Sequence, residues 1–188
     1  MLPWQKVGLR VANVVGGQNP LAGRIVHERH ACHAIGEPQR SLIGLRPAVA
    51  PVGHWGKDKI DPAVLRVSAE GKVQGSLPLP QHLLAENEKP PRNNGTLEGL
   101  AESFDKKGIW AAMELPLKID GPKPKLIRTK SPVRITYFDK ETGQPTKQFP
   151  YMLEPIAKIP WLYFAVNGVT DLLEYAPDKF LVLERGFA

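Results

Sequence analysis

The sequence is poor in features that define several large classes of proteins. One cysteine, Cys32, stands among 188 residues, so no intramolecular disulfide can form and folding needs no oxidising compartment. No uncharged run exceeds 13 residues, whereas a helix that spans a membrane needs roughly 17–25. The sequence therefore predicts neither a disulfide scaffold nor a transmembrane helix.

Signatures of catalysis are also missing. No glycine-rich loop matches a phosphate-binding or dinucleotide-binding pattern, and no G-x-S-x-G nucleophile elbow is present. The acids Glu98, Glu102 and Asp105 are spaced like the solvated face of a helix. We therefore expect no catalytic residues and no cofactor, and we expect that the protein is not an enzyme.

The first 27 residues contain no acid but carry Lys6, Arg10 and Arg24. Apolar residues from Trp4 to Val14 recur at helical spacing, which is typical of an amphipathic transit peptide, although an ordinary surface helix gives the same pattern. Serine, which is common in such peptides, is absent from this start. The pattern favours a mitochondrial protein, either in the matrix or associated with the inner membrane.

Three histidines, His27, His30 and His33, flank Cys32 in the stretch VHERHACHAIG. Four ligands within seven residues cannot surround one ion tetrahedrally without strain. The stretch also lacks the first cysteine of a C-x-x-C-H haem motif, where Arg29 stands instead. We expect no metal or haem here, and a small metal-binding protein or enzyme centred on these histidines is the less favoured alternative.

Proline is unusually common, with 19 residues spread along the chain, about twice the average usage of about 5%. Each proline fixes φ and lacks an N–H group, so long helices are excluded over most of the sequence. We expect an α+β fold: a small mixed core of two β-hairpins, short strands and one or two short helices, with long proline-rich extended arms. Residues 1–60 form a presequence-like arm, and residues 61–188 form the α+β domain.

The individual elements follow from local patterns. Leu97, Leu100, Ala101 and Phe104 form an apolar stripe that predicts a helix over 97–107. Period-two alternation around turn residues predicts two hairpins and further strands, and a second short helix is expected before Pro177. The expected hairpins are 64–69 with 72–77 and 133–138 with 146–152, the expected strands begin at Ile109 and Lys179, and the second helix covers 170–175.

Basic residues cluster in the segment 118–134, which has six bases and one acid. Three prolines keep the segment extended, so its cations project as they do in arms that contact phosphates or anionic headgroups. A solvated loop between two strands is the plainer interpretation. The candidate residues for contact with a partner or an anion are Lys118, Lys123, Lys125, Arg128, Lys130 and Arg134.

Together these observations favour a non-catalytic accessory subunit that acts as a scaffold in a large mitochondrial assembly. A respiratory-chain complex or the ATP synthase is the expected host, and other subunits of that multiprotein complex are the expected partners. The alternative is an organellar ribosomal protein whose 118–134 segment contacts ribosomal RNA. Anionic lipid headgroups are a further expected contact of the same segment.

Overall fold

The chain forms eleven β-strands and one 3₁₀ turn in a computed structural model that describes residues 5–15, 24–28, 45–48, 61–67, 72–84, 91–92, 95–157 and 165–187. The 3₁₀ turn is Gln81–Leu83. No described residue belongs to a helix long and apolar enough to cross a membrane. The strands are β1 Gln5–Val15, β2 Arg24–Glu28, β3 Leu45–Ala48, β4 Ala63–Val67, β5 Val73–Leu77, β6 Leu97–Glu102, β7 Gly108–Met113, β8 Pro132–Asp139, β9 Pro145–Met152, β10 Val166–Ala176 and β11 Lys179–Phe187.

Three antiparallel sheets hold these strands. Strands β6, β7, β8 and β9 follow one another as a four-stranded meander, and β3, β4 and β5 form a three-stranded sheet. The third sheet has the order β10-β11-β1-β2, because β1 pairs antiparallel with β11 from Gln5 opposite Phe187 to Asn13 opposite Lys179. One sheet thus joins residues that lie far apart in the sequence.

The expected α+β class is wrong, because the described residues are almost entirely antiparallel sheet. The segment expected to be a helix over 97–107 is strand β6 followed by a turn, and Phe104 is exposed. Spacing of i, i+3 and i+4 in a run this short also fits a strand that is buried on both faces. The absence of a side chain at Gly99 lets β6 pack closely against β10, since a Cβ there would lie 2.8 Å from Cδ2 of Leu172.

Two other helical expectations fail for related reasons. The amphipathic start of the chain is strand β1, and its frequent valines suit a strand paired on both sides. The short helix expected over 170–175 lies inside strand β10.

Both expected hairpins are present, as β4 with β5 and β8 with β9, and Pro150 lies in the edge strand β9. The division of the chain at residue 60 stays a prediction.

An aromatic cluster joins the meander to the sheet that contains β10 and β11. Phe180 of β11 packs edge-on against Trp110 of β7 with 5.1 Å between ring centroids, and Phe149 of β9 lies 5.3 Å from Phe180. Trp110 Nε1 also donates a hydrogen bond of 2.7 Å to Oε2 of Glu174 in β10. The two sheets therefore share one core, which fixes the ends of their strands relative to each other.

We expect Phe180→Ala to lower the free energy of unfolding by about 3–5 kcal/mol, because the substitution empties a fully buried aromatic position between the two sheets. Leu173→Ala on the exposed face of β10 is the control, with an expected change of about 0.5 kcal/mol or less. Urea unfolding of both variants measures the difference. Equal effects would show that the two sheets do not share a core.

Candidate acid–base site at the end of strand β7

A long ordered loop begins where β7 ends. It runs over residues 114–131 before β8 starts at Pro132, and connections longer than about 12–15 residues are uncommon in compact domains unless they carry a function. Glu114 is its first residue. The backbone N–H of Glu114 donates to the carbonyl of Thr96, and the N–H of Val169 donates to the carbonyl of Glu114. Glu114 therefore lies between the entry to β6 and strand β10.

The side chain of Glu114 is buried against a glycine. Glu114 is 7% exposed, and a Cβ built on Gly168 would lie 2.7 Å from its Cγ and 2.9 Å from its carbonyl oxygen. Any larger residue at position 168 would push the glutamate out of this place. Within the described part of the chain, Oε2 of Glu114 is the buried side-chain polar atom that has no hydrogen-bond partner.

Two further charged residues lie beside this carboxyl. Arg185 of β11 stands directly opposite Gly168, so its side chain leaves the same face of the sheet as the position that Glu114 covers. Glu98 is the extra residue of a β-bulge in β6, between Leu97 and Gly99 in the pairing with β7. A bulge re-aims a side chain, and Oε2 of Glu98 lies 3.9 Å from Nη2 of Arg185.

The carboxyl groups of this site are harder to ionise than ordinary ones. Burial, followed by the nearby charge of Glu98, raises the pKa of Glu114 from 4.5 to about 7, and Arg185 and Lys123 offset only part of that rise. Burial also raises the pKa of Glu98, against the opposing effect of Arg185. At neutral pH the Glu114 carboxyl is therefore close to half protonated.

Other buried glutamates have ordinary structural roles. Glu184 accepts hydrogen bonds of 2.5 Å from Tyr151 Oη and 2.5 Å from Asn167 Nδ2. Both oxygens of Glu174 are likewise bonded, with Oε1 accepting from the backbone N–H of Asp178 and Oε2 from Trp110. These carboxylates tie strands and turns together, whereas Oε2 of Glu114 has no hydrogen-bond partner among the described residues.

The predicted contact residues of the 118–134 segment differ in their exposure and in their ion pairs. Arg134 lies in β8 and makes two hydrogen bonds to the carboxylate of Asp120, of 2.6 and 2.7 Å, so its charge is used inside the protein. Arg128 is exposed and forms an ion pair with Glu154 at 3.2 Å. Lys123 acts electrostatically on Glu114. Lys118, Lys125 and Lys130 are exposed, and a role of these residues in partner contact stays a prediction.

The histidine stretch lies largely outside the described residues. His27 falls in strand β2, where only the backbone is described, and His30, Cys32 and His33 are not covered. Among the described residues, no group of three or more His, Cys, Asp or Glu side chains is placed to hold a metal ion. The expectation of no metal or haem at the histidines stays a prediction.

Sequence patterns missed the two carboxyl groups. Glu98 was assigned to the solvated face of a helix that does not form. Glu114 interrupts the apolar run from Ile109 to Leu117, and a lone acid in a buried strand-like run is the one signal that could have identified it. Arg185 gave no sequence signal, because only the pairing of β11 with β10 brings it opposite Gly168.

Comparison with protein families matches residues 50–188 to the phytase-like family, described as the esterase-like activity of phytase. Each residue of the site falls inside the matched range. No curated protein and no solved structure matches the chain.

This match overturns the expected function. A family with esterase-like activity is enzymatic, so the expectations of a non-enzyme and of an accessory subunit in a respiratory-chain complex or the ATP synthase are wrong. The ribosomal alternative is wrong for the same reason. The match does not test the alternative of a small metal-binding protein or enzyme centred on His27, His30 and His33, because these residues precede the matched range. The mitochondrial location and the protein partners are not tested by the match and stay predictions.

The raised pKa of Glu114 should make stability depend on pH. The carboxyl of Glu114 loses its proton near pH 4.5 in the unfolded chain and near pH 7 in the folded protein. Its contribution to the free energy of unfolding is therefore fully present below about pH 4.5 and is lost as the pH rises to about 7. Between about pH 5 and 8 the free energy of unfolding of the wild type should fall by roughly 2.5 kcal/mol relative to that of Glu114→Gln, which cannot ionise. Urea unfolding at both pH values measures the change. Glu141→Gln, on an exposed turn, is the control, and a difference between wild type and Glu114→Gln that is independent of pH would contradict the assignment.

Proposed function

Because the chain belongs to the phytase-like family, we propose that it is a hydrolase of anionic esters, with phosphate monoesters as its leading substrate class. The acid–base site at the end of β7 supports this proposal. There a buried, unpartnered carboxyl group lies beside a second carboxylate and two cations. Hydrolysis of a phosphate ester can use such groups, since cations hold the phosphate and a carboxylate accepts a proton from the attacking water.

Arg185 is the residue best placed to hold the phosphate. Its side chain is 46% exposed, and its only ion pair among the described residues is the long one of 3.9 Å to Glu98. A guanidinium group binds two phosphate oxygens at once through parallel N–H donors. Lys123 adds a second positive charge from the loop. Both cations attract the substrate and stabilise the charge on the phosphoryl oxygens during the reaction.

Glu98 is the proposed catalytic base. Its side chain is 28% exposed, so it can meet a water molecule and the ester, whereas Oε2 of Glu114 is fully covered. The Glu98 carboxylate takes a proton from the attacking water as the water oxygen bonds to phosphorus. The bond between phosphorus and the alcohol oxygen breaks, and that oxygen takes up the proton that Glu98 accepted from water, so the products are the alcohol and inorganic phosphate and Glu98 is again a carboxylate.

Glu114 is a positioning residue that acts through charge. While Glu114 is protonated, the site contains two cations and one carboxylate, and its net positive charge favours the binding of an anionic ester. When Glu114 ionises, its charge competes with the substrate for Arg185 and Lys123. Because the pKa of Glu114 is about 7, binding of the substrate should weaken above neutral pH.

We expect Glu98→Gln to lower kcat for p-nitrophenyl phosphate by about 10²–10⁴-fold, because the amide cannot accept a proton from water. Glu141→Gln is the matched control and should retain full activity, since Glu141 is exposed on the turn between β8 and β9. p-Nitrophenyl acetate, a neutral ester, tests the preference for anionic substrates. Hydrolysis of phosphate esters that survives in Glu98→Gln would rule out Glu98 as the base.

Glu114→Gln should behave differently, because glutamine imitates the protonated acid. We expect kcat to change by less than about tenfold and the rise in KM above neutral pH to disappear. Profiles of kcat/KM against pH for the wild type and this variant measure the effect. If both profiles keep the same alkaline limb, another group is responsible for it and the role given to Glu114 is wrong.

A further inference from the structure

The base of the 114–131 loop is held firmly by hydrogen bonds. Arg92 donates through Nε to the carbonyl of Pro116 and through Nη2 to the carbonyl of Gly121, at 2.9 Å each. On the other side, the N–H of Ile156 donates to the carbonyl of Lys125 and the N–H of Leu153 to that of Ser131. The loop is thus fixed at both ends, and its conformation between them is set by the fold.

The tip of this fixed loop exposes two consecutive aliphatic side chains. Leu126 is 49% exposed and Ile127 is 74% exposed. Ile119 on the same loop is also exposed. Single exposed apolar residues are common, but neighbouring ones on an anchored tip form a small apolar prominence, and such features mark interaction surfaces.

Cations surround the prominence. Lys125 precedes Leu126 and Arg128 follows Ile127, and Lys123 and Lys130 stand two positions further out. Residues 121–131 contain no acid, and all four of these cations are exposed. Arg128 shares its charge with Glu154, but its side chain remains 65% exposed.

From this arrangement we propose that the loop tip, residues 123–130, docks the protein on an anionic lipid bilayer. Leu126 and Ile127 enter the boundary between headgroups and acyl chains, and the flanking cations Lys125, Arg128 and Lys130 contact the headgroup phosphates. Stable binding to a membrane surface needs both apolar insertion and positive charge, because either feature alone gives only weak membrane binding. The proposal is independent of the proposed hydrolase activity.

Nucleic acid fits the same surface less well. Phosphate contacts along RNA use cations and polar groups, and the bases stack on aromatic rings or guanidinium planes. Residues 123–130 contain no aromatic side chain, and their single guanidinium, that of Arg128, is paired with Glu154. The exposed aliphatic side chains gain nothing from a sugar–phosphate backbone. A lipid bilayer can contact both the aliphatic and the cationic side chains of the tip.

Sedimentation of the full chain with lipid vesicles tests the proposal. The protein should bind phosphatidylcholine vesicles that contain phosphatidylserine, and added salt should weaken the binding because it screens the charges. Leu126→Ser with Ile127→Ser should lower the partition coefficient at least roughly tenfold. Lys125→Gln with Lys130→Gln should do the same and should reduce the dependence on salt. Lys123 is left unchanged because it belongs to the acid–base site.

Matched controls separate the tip from the rest of the surface. Val73→Ser removes an exposed apolar residue on β5, and Lys107→Gln with Lys179→Gln removes two exposed cations elsewhere. Both should bind like the wild type. Three outcomes would overturn the proposal: equal binding to vesicles of phosphatidylcholine alone, unchanged binding of the tip variants, or binding to RNA without binding to vesicles. Circular dichroism of each variant confirms that it has the wild-type sheet content.

Discussion

The close approach of Glu114 to Gly168 is the contact on which the rest of the site depends. Two backbone hydrogen bonds, one on each side of Glu114, join the entry to β6, the end of β7 and strand β10. The missing side chain of Gly168 leaves the space that the glutamate fills. Because Arg185 stands opposite Gly168, the same contact sets the distance between a carboxyl group and a cation. The site is therefore a product of sheet pairing rather than of a local motif.

A buried carboxyl oxygen without a partner is costly, and most buried polar atoms in proteins are satisfied. The protein satisfies its other deeply buried glutamates, Glu174 and Glu184, with several donors each. Leaving Glu114 unsatisfied lowers stability at neutral pH but keeps a proton-binding group in the range where acid–base chemistry operates. Loss of stability at a functional site is a common feature of enzymes, and it agrees with the membership of the chain in an enzymatic family.

Local signals predicted the hairpins because turn residues and period-two alternation act over a few residues. The turn between β8 and β9, which includes Gly143 at φ +71°, is one example. Helices were predicted where the spacing of apolar residues suits a helix and a buried strand equally well, as at Leu97, Leu100 and Ala101. There the partners from β7 and β10 decided the conformation, and a single sequence does not display those partners. The acid–base site was missed for the same reason, since Glu98, Glu114 and Arg185 meet only after β6 has paired with β7 and β10 with β11. The exposed cations were predicted as a group, but Arg134 was not separable from them because Asp120 is brought to it by the fold.

The acid–base site depends on a Glu114 carboxyl that holds its proton up to neutral pH. Nuclear magnetic resonance of the protein with ¹³C-labelled glutamate carboxyl groups measures this directly, and Glu114→Gln assigns the resonance. We predict that the carboxyl signal of Glu114 titrates with a midpoint near 7, as burial and the neighbouring Glu98 require. A midpoint near the ordinary value of about 4.5 would show that the group is hydrated or paired in solution. In that case the acid–base site described here would not exist.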